Sequence, residues 1–124
     1  MELNSLEYNA LIKLIHFVKY GCTDVEARYH AGSPIISEIL HKLIIDFYTK
    51  INRDTNFEIE NSTPLYNLIY NGVKENLKRT VEWNSMDIDT KKEHIKTLAF
   101  PYILDDSILK NLIKTINQLH NNKD

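Results

Sequence analysis

GCTDVEARYHAGSP, residues 21–34, separates two strongly apolar segments and decides how the chain is read. It holds the chain's one cysteine, a histidine, an arginine and two carboxylates. As a reaction centre it needs Cys22 activated by a base and an orienting group. As a joint it needs only helix starts and stops, and those are present. Thr23 with Glu26 three residues on has the form of a capping box, which opens a short helix over VEARYHA; Gly32 suits its end. Ser33 as N-cap and Pro34 at the first helical position then open the next helix. Cys22 and His30 fall at opposite ends of the short helix, roughly 12 Å apart at 1.5 Å per residue, too far to work as a pair. Asp24 with Arg28, and Glu26 with His30, are spaced for surface pairing. The stretch reads as a joint in a chain of capped helices.

Working outward, the segment before the joint has Leu6, Leu11, Leu14, Ile15 and Val18 at helical spacing. Asn4 and Glu7 form its capping box, and Gly21 suits its C′ position. After the joint, Pro34 to about Ile51 is apolar over more than half its circumference, through Ile35, Ile36, Ile39, Leu40, Leu43, Ile44, Phe47 and Tyr48. That density predicts the central helix, packed on several sides. NRDTNFEIENS is polar and acidic and reads as the main loop, with FEIE as a short extended piece.

Thr63-Pro64 repeats the start signal, followed by Leu65, Leu68, Ile69, Val73, Leu77 and Val81. Gly72 weakens that helix by about 1 kcal/mol relative to Ala and marks a kink or a close helix crossing. WNSMDID is a second acidic joint; Thr90 with Glu93 is a further capping box, for a short helix that Pro101 stops. Asp105 or Asp106 caps a last helix striped by Ile108, Leu109, Leu112, Ile113, Ile116 and Leu119. The expected fold is all-α: an irregular helical bundle of four main helices and two or three short ones, one domain over residues 1–124.

Bulk properties narrow the function. A chain of 124 residues, 43% hydrophobic and 26% charged, has ordinary globular usage. Its net charge of −2 leaves no basic footprint for nucleic acid. One cysteine cannot form an internal disulfide, which fits a reducing compartment. The N-terminus lacks a basic start, and Lys13, His16 and Lys19 break its apolar run, so neither a signal peptide nor a membrane span is expected. The expected location is cytoplasmic.

Catalytic and ligand motifs are thin. Glu38 and His41 form an E-x-x-H, but di-iron bundles need two such motifs and two further glutamates. His16, His30, His94 and His120 are scattered, and three glycines cannot build a phosphate loop. No catalytic residue, cofactor or metal is therefore expected. Residues 20–43 could suggest a helix-turn-helix, but the second helix opens with core material rather than polar base-reading side chains. Lys74, Lys78, Arg79, Lys91, Lys92 and Lys96 could form a basic strip for a nucleic-acid-binding regulator. Glu75, Glu82 and Glu93 interrupt it, and a solvated face is the preferred reading.

Protein recognition is better supported. Asp54, Glu58 and Glu60 sit in one expected loop, Glu82, Asp87 and Asp89 in the other, interleaved with Phe57, Trp83 and Met86. Aromatic anchors in an acidic rim suit a basic protein partner, the acids steering encounter and the aromatics acting as hot spots. The candidate partner-binding residues are Phe57, Glu58, Glu60, Trp83, Met86, Asp87 and Asp89. For Trp83 a core position at a helix end is the alternative.

The opening LNSLEYNALIKLIHFVKYGCTDVEARYHAGSPIISEIL and the joints NFEIENS and EWNSMDID make the chain resemble bacterial immunity proteins of contact-dependent growth inhibition and related polymorphic toxin systems. The resemblance implies a non-catalytic inhibitor, monomeric on its own, that binds a cognate toxin, often a nuclease, and occludes its active site or substrate groove. Those families span unrelated folds, so no functional residue is carried over. A small phage-encoded inhibitor, such as an anti-CRISPR protein, fits the same description.

Overall fold

A computed structural model describes residues 2–22 and 24–122, with the backbone alone at Val25 and Arg28. It is all-α. Among the described residues six α-helices follow one another: α1 (Ser5–His16), α2 (Val25–Ala31), α3 (Pro34–Lys50), α4 (Pro64–Leu77), α5 (Ile88–Ala99) and α6 (Asp106–Asn121). The last turn of the first segment widens into a π-helical turn, Phe17–Gly21, and a 3-10 turn, Trp83–Ser85, precedes α5. Among the described residues there is no strand; residues 57–59 run extended and form a single parallel bridge between Glu58 and Ile103. No helix among them is long and apolar enough to cross a membrane.

Side chains close the helix starts. Asn4 and Glu7 make the reciprocal capping box on α1. Ser33, Thr63 and Asp105 cap α3, α4 and α6, each accepting from a backbone N–H three residues on. Two starts differ from expectation. The capping box assigned to Thr23 falls outside the described residues, as does the side chain of Arg28; the N-cap of α2 is Asp24, which accepts from the Glu26 N–H. Helix α5 begins earlier than Thr90: Asp87 is its N-cap and accepts from the Thr90 N–H at 2.8 Å. Asp87 lacks the Glu or Gln partner of a capping box, but aspartate is itself a strong N-cap residue and captures the first turn.

The core is centred on α6, not on α3. Helix α6 buries Ile108, Leu109, Leu112, Ile113 and Ile116 on one stripe. Helix α3 buries only Ser37, Leu40 and Ile44, while Ile35 stays 72% exposed and Ile39 43%. The expectation of a central α3 is thus corrected. Its apolar residues are numerous but spread around the axis, so only one stripe reaches the core. Helix α4 crosses the π turn at close range: a Cβ on Gly72 would lie 2.7 Å from the Tyr20 Cα, so only glycine permits the approach.

Candidate protein-binding surface

Helix α5 is densely charged, with Asp89 and Glu93 beside Lys91, Lys92 and Lys96. Its twelve residues rise about 18 Å. Ile95, Leu98 and Ala99 face the core, and the opposite stripe presents Asp89, Glu93 and Thr97 at four-residue steps. Asp89, Thr90, Glu93, His94 and Thr97 line one shallow depression. Glu93 and Thr97 also line its neighbour, a groove of about 330 Å³ completed by Lys96 and Phe100 and, from the start of α3, by Pro34, Ser37 and Glu38. The two depressions form one continuous face along α5, edged by α3.

An aromatic cluster closes the far end of this face. The His41 ring lies 5.5 Å from that of Phe100 and 5.0 Å from that of Phe57, and its Nδ1 is 4.0 Å from the Glu38 carboxylate. The E-x-x-H pair therefore meets, but as part of an aromatic stack. Among the described residues no group of three or more His, Cys, Asp or Glu is placed to hold a metal ion.

The seven candidate residues do not converge on one spot. Asp87 and Asp89 are exposed at the N-terminal end of α5. The Asp87 carboxyl is held below its usual value, chiefly by the Thr90 backbone hydrogen bond. Phe57 is half-buried and reaches the other end through His41. Glu58 turns away from this face and lines a separate groove of about 430 Å³ with Lys13, His16, Phe47, Leu65 and Tyr102. Glu60 is exposed and Met86 half-buried against the core. Trp83 is a correction: it is 0% exposed, its Nε1–H donates to Asn117 Oδ1 at 2.8 Å, and its ring stacks on His120. A side chain closed on every side is a core residue, not a surface anchor.

The basic strip is largely neutralised from within. Lys78 pairs with Glu75 at 2.6 Å, Lys92 with Asp106 at 3.5 Å and Lys96 with Glu93 at 3.7 Å. Lys91 lies over the Trp83 ring and donates to Asn117.

Three polar residues to which the sequence reading gave no structural role lie inward, as helical spacing places them. Lys19 continues the Tyr8–Ile12 stripe and is 3% exposed. Its Nζ donates to the Ala31 carbonyl at 2.6 Å and the Leu98 carbonyl at 2.7 Å, bridging the C-terminal ends of α2 and α5. Burial pushes its ammonium down to about 8. His16, hydrogen-bonded to the Tyr102 hydroxyl, is pushed down to about 4 by burial and is neutral at pH 7. Ser37 shares the Leu40–Ile44 stripe and is 4% exposed.

Comparison with models of known protein families, with curated proteins and with solved structures returns no match.

Proposed function

We propose that this protein is a non-catalytic cytoplasmic inhibitor that binds a cognate basic toxin, a nuclease domain, and covers its substrate groove with the α5–α3 face. The observation that carries the reading is the line of carboxylates Asp89 and Glu93 on the outer stripe of α5, with Glu38 facing it across the groove. A nuclease presents a positive surface to the phosphate backbone, and a row of carboxylates on a rigid helix can take the place of those phosphates. The pairing of Lys78 with Glu75 and of Lys92 with Asp106, and the seating of Lys91 over the Trp83 ring, favour this over a nucleic-acid-binding regulator, whose cations would have to be free to meet phosphates.

The test is inhibition. The purified chain is titrated into the nuclease domain encoded directly upstream of its gene, and cleavage of a labelled substrate is followed. Full inhibition at one equivalent is expected. Unchanged cleavage at a large excess would refute the toxin-inhibitor reading. Salt-sensitive binding of the chain to the nucleic acid itself would favour the regulator instead.

A further inference from the structure

We propose that the groove between the start of α3 and the end of α5 is a socket for one arginine side chain of a protein partner. The inference rests on the basic-partner reading above and assigns it a specific anchor. Three features point to a guanidinium. Glu38 and Glu93 contribute two carboxylates, one from each helix; Lys96 meets Glu93 through an exposed 3.7 Å contact, and the His41 imidazole lies 4.0 Å from Glu38. Phe100 lines the same groove and is 38% exposed, so it offers a ring on which a planar cation can stack. Ser37 lines it as well, and this is the independent observation. Its side chain is 4% exposed, yet its hydroxyl has no hydrogen-bond partner among the described residues. A buried hydroxyl without a partner is uncommon and calls for a ligand group to complete it.

A guanidinium meets all three at once. Its plane stacks on the phenyl ring, its fork of N–H donors reaches carboxylates bidentately, and a further N–H can donate to Ser37 Oγ. A lysine ammonium offers no plane to stack. Pro34 and the Thr97 methyl supply apolar walls for the alkyl stem. Lys96 is the competitor: an arriving arginine takes over its contact with Glu93.

The experiment is an NMR titration of the ¹⁵N-labelled chain with the capped peptide Ac-Gly-Arg-Gly-NH₂, with the norleucine peptide and free agmatine as parallel arms. Saturable shifts are expected at Ser37, Glu38, Thr97 and Phe100 with the arginine peptide and not with norleucine. Glu38→Gln and Glu93→Gln should each weaken binding about two- to fivefold, the span of exposed ion pairs, while Lys96→Met should tighten it by a similar factor. Ser37→Ala should weaken binding without lowering the melting temperature, because the hydroxyl it removes has no hydrogen-bond partner among the described residues. Equal shifts with norleucine, tighter binding of agmatine than of the peptide, or indifference to both glutamate variants and to Lys96→Met would overturn the proposal. Nuclease inhibition is read separately, so an inert socket beside a working inhibitor would overturn the socket alone.

Discussion

The two halves of the molecule solve burial differently. From α4 onward the interior is built almost wholly from apolar side chains; Ile69, Val73, Trp83, Ile95, Leu112 and Ile116 are essentially closed to solvent. The half formed by α1, the π turn, α2 and α3 also buries Ile12, Tyr20, Leu40 and Ile44, but it mixes polar groups among them. It leaves Leu6, Leu14, Phe17, Ile35 and Ile39 exposed, while Lys19 and Ser37 are buried. Apolar density is thus a poor guide to burial, and the phase of the stripe is a good one. In α6 the apolar residues keep one face. In α1 and α3 they cover several, and the neighbours reach only one. Local rules tend to be broken where a protein has something other than stability to serve. The two buried polar residues both lie by the α5–α3 face, Ser37 in its groove and Lys19 holding the end of α5.

The contrast can be tested from its largest expected effect downward. Leu112→Ala opens a cavity in the apolar half and should lower stability by about 2–5 kcal/mol in chemical denaturation. A loss below about 1 kcal/mol would mean that α6 is not the centre of the core. Lys19→Met keeps the stem but removes the donor to two buried carbonyls; a loss of about 2 kcal/mol is expected by the same assay. If Lys19→Met is neutral or stabilising, burial of the charge outweighs its two hydrogen bonds.

The histidine gives a pH signature. His16 falls from 6.5 in its ordinary state to about 4 when folded, so between those values the unfolded chain binds the proton and the folded chain does not. Stability from the neutral imidazole is therefore full above about pH 6.5 and is lost as the pH falls towards 4. The melting temperature of the parent should drop across that window, and His16→Gln should flatten the drop. Parallel curves would place the titration elsewhere. At the bottom of the scale, Leu43→Ala on half-buried α3 should cost about 1 kcal/mol, and Ile35→Gln should change stability by less than about 0.5 kcal/mol. A large loss at Ile35 would restore α3 as a core helix.

Much of the fold was legible because it is local. A capping box such as Asn4–Glu7, or Ser-Pro and Thr-Pro at a helix start, is decided within four residues, and the α6 stripe declares its own buried face. Partner choice is not local. Nothing in WNSMDID says that Asn117 and His120, more than thirty residues on, will enclose Trp83. The site was legible in its charge and not in its geometry. Asp89 lines the α5 face from the helix's first turn rather than from the expected loop, and Asp87 caps that helix, whereas Glu58 is turned to the other groove by its alternation with Phe57 in an extended segment. Glu38, Glu93 and Phe100 come together only because α3 starts beside the end of α5, a juxtaposition that no spacing along the chain encodes.

The α5–α3 face as the surface that meets a basic partner is the central claim, and association kinetics test it most directly. Binding of the parent and of the Asp89→Lys, Glu93→Lys double variant to the cognate nuclease domain is measured by stopped flow at low and high salt, with melting curves confirming that both fold. Reversing two exposed charges on the face should cut the association rate by about tenfold or more at low salt, and the gap should close at high salt as screening takes over. Equal association rates for the two proteins at low salt would contradict the claim.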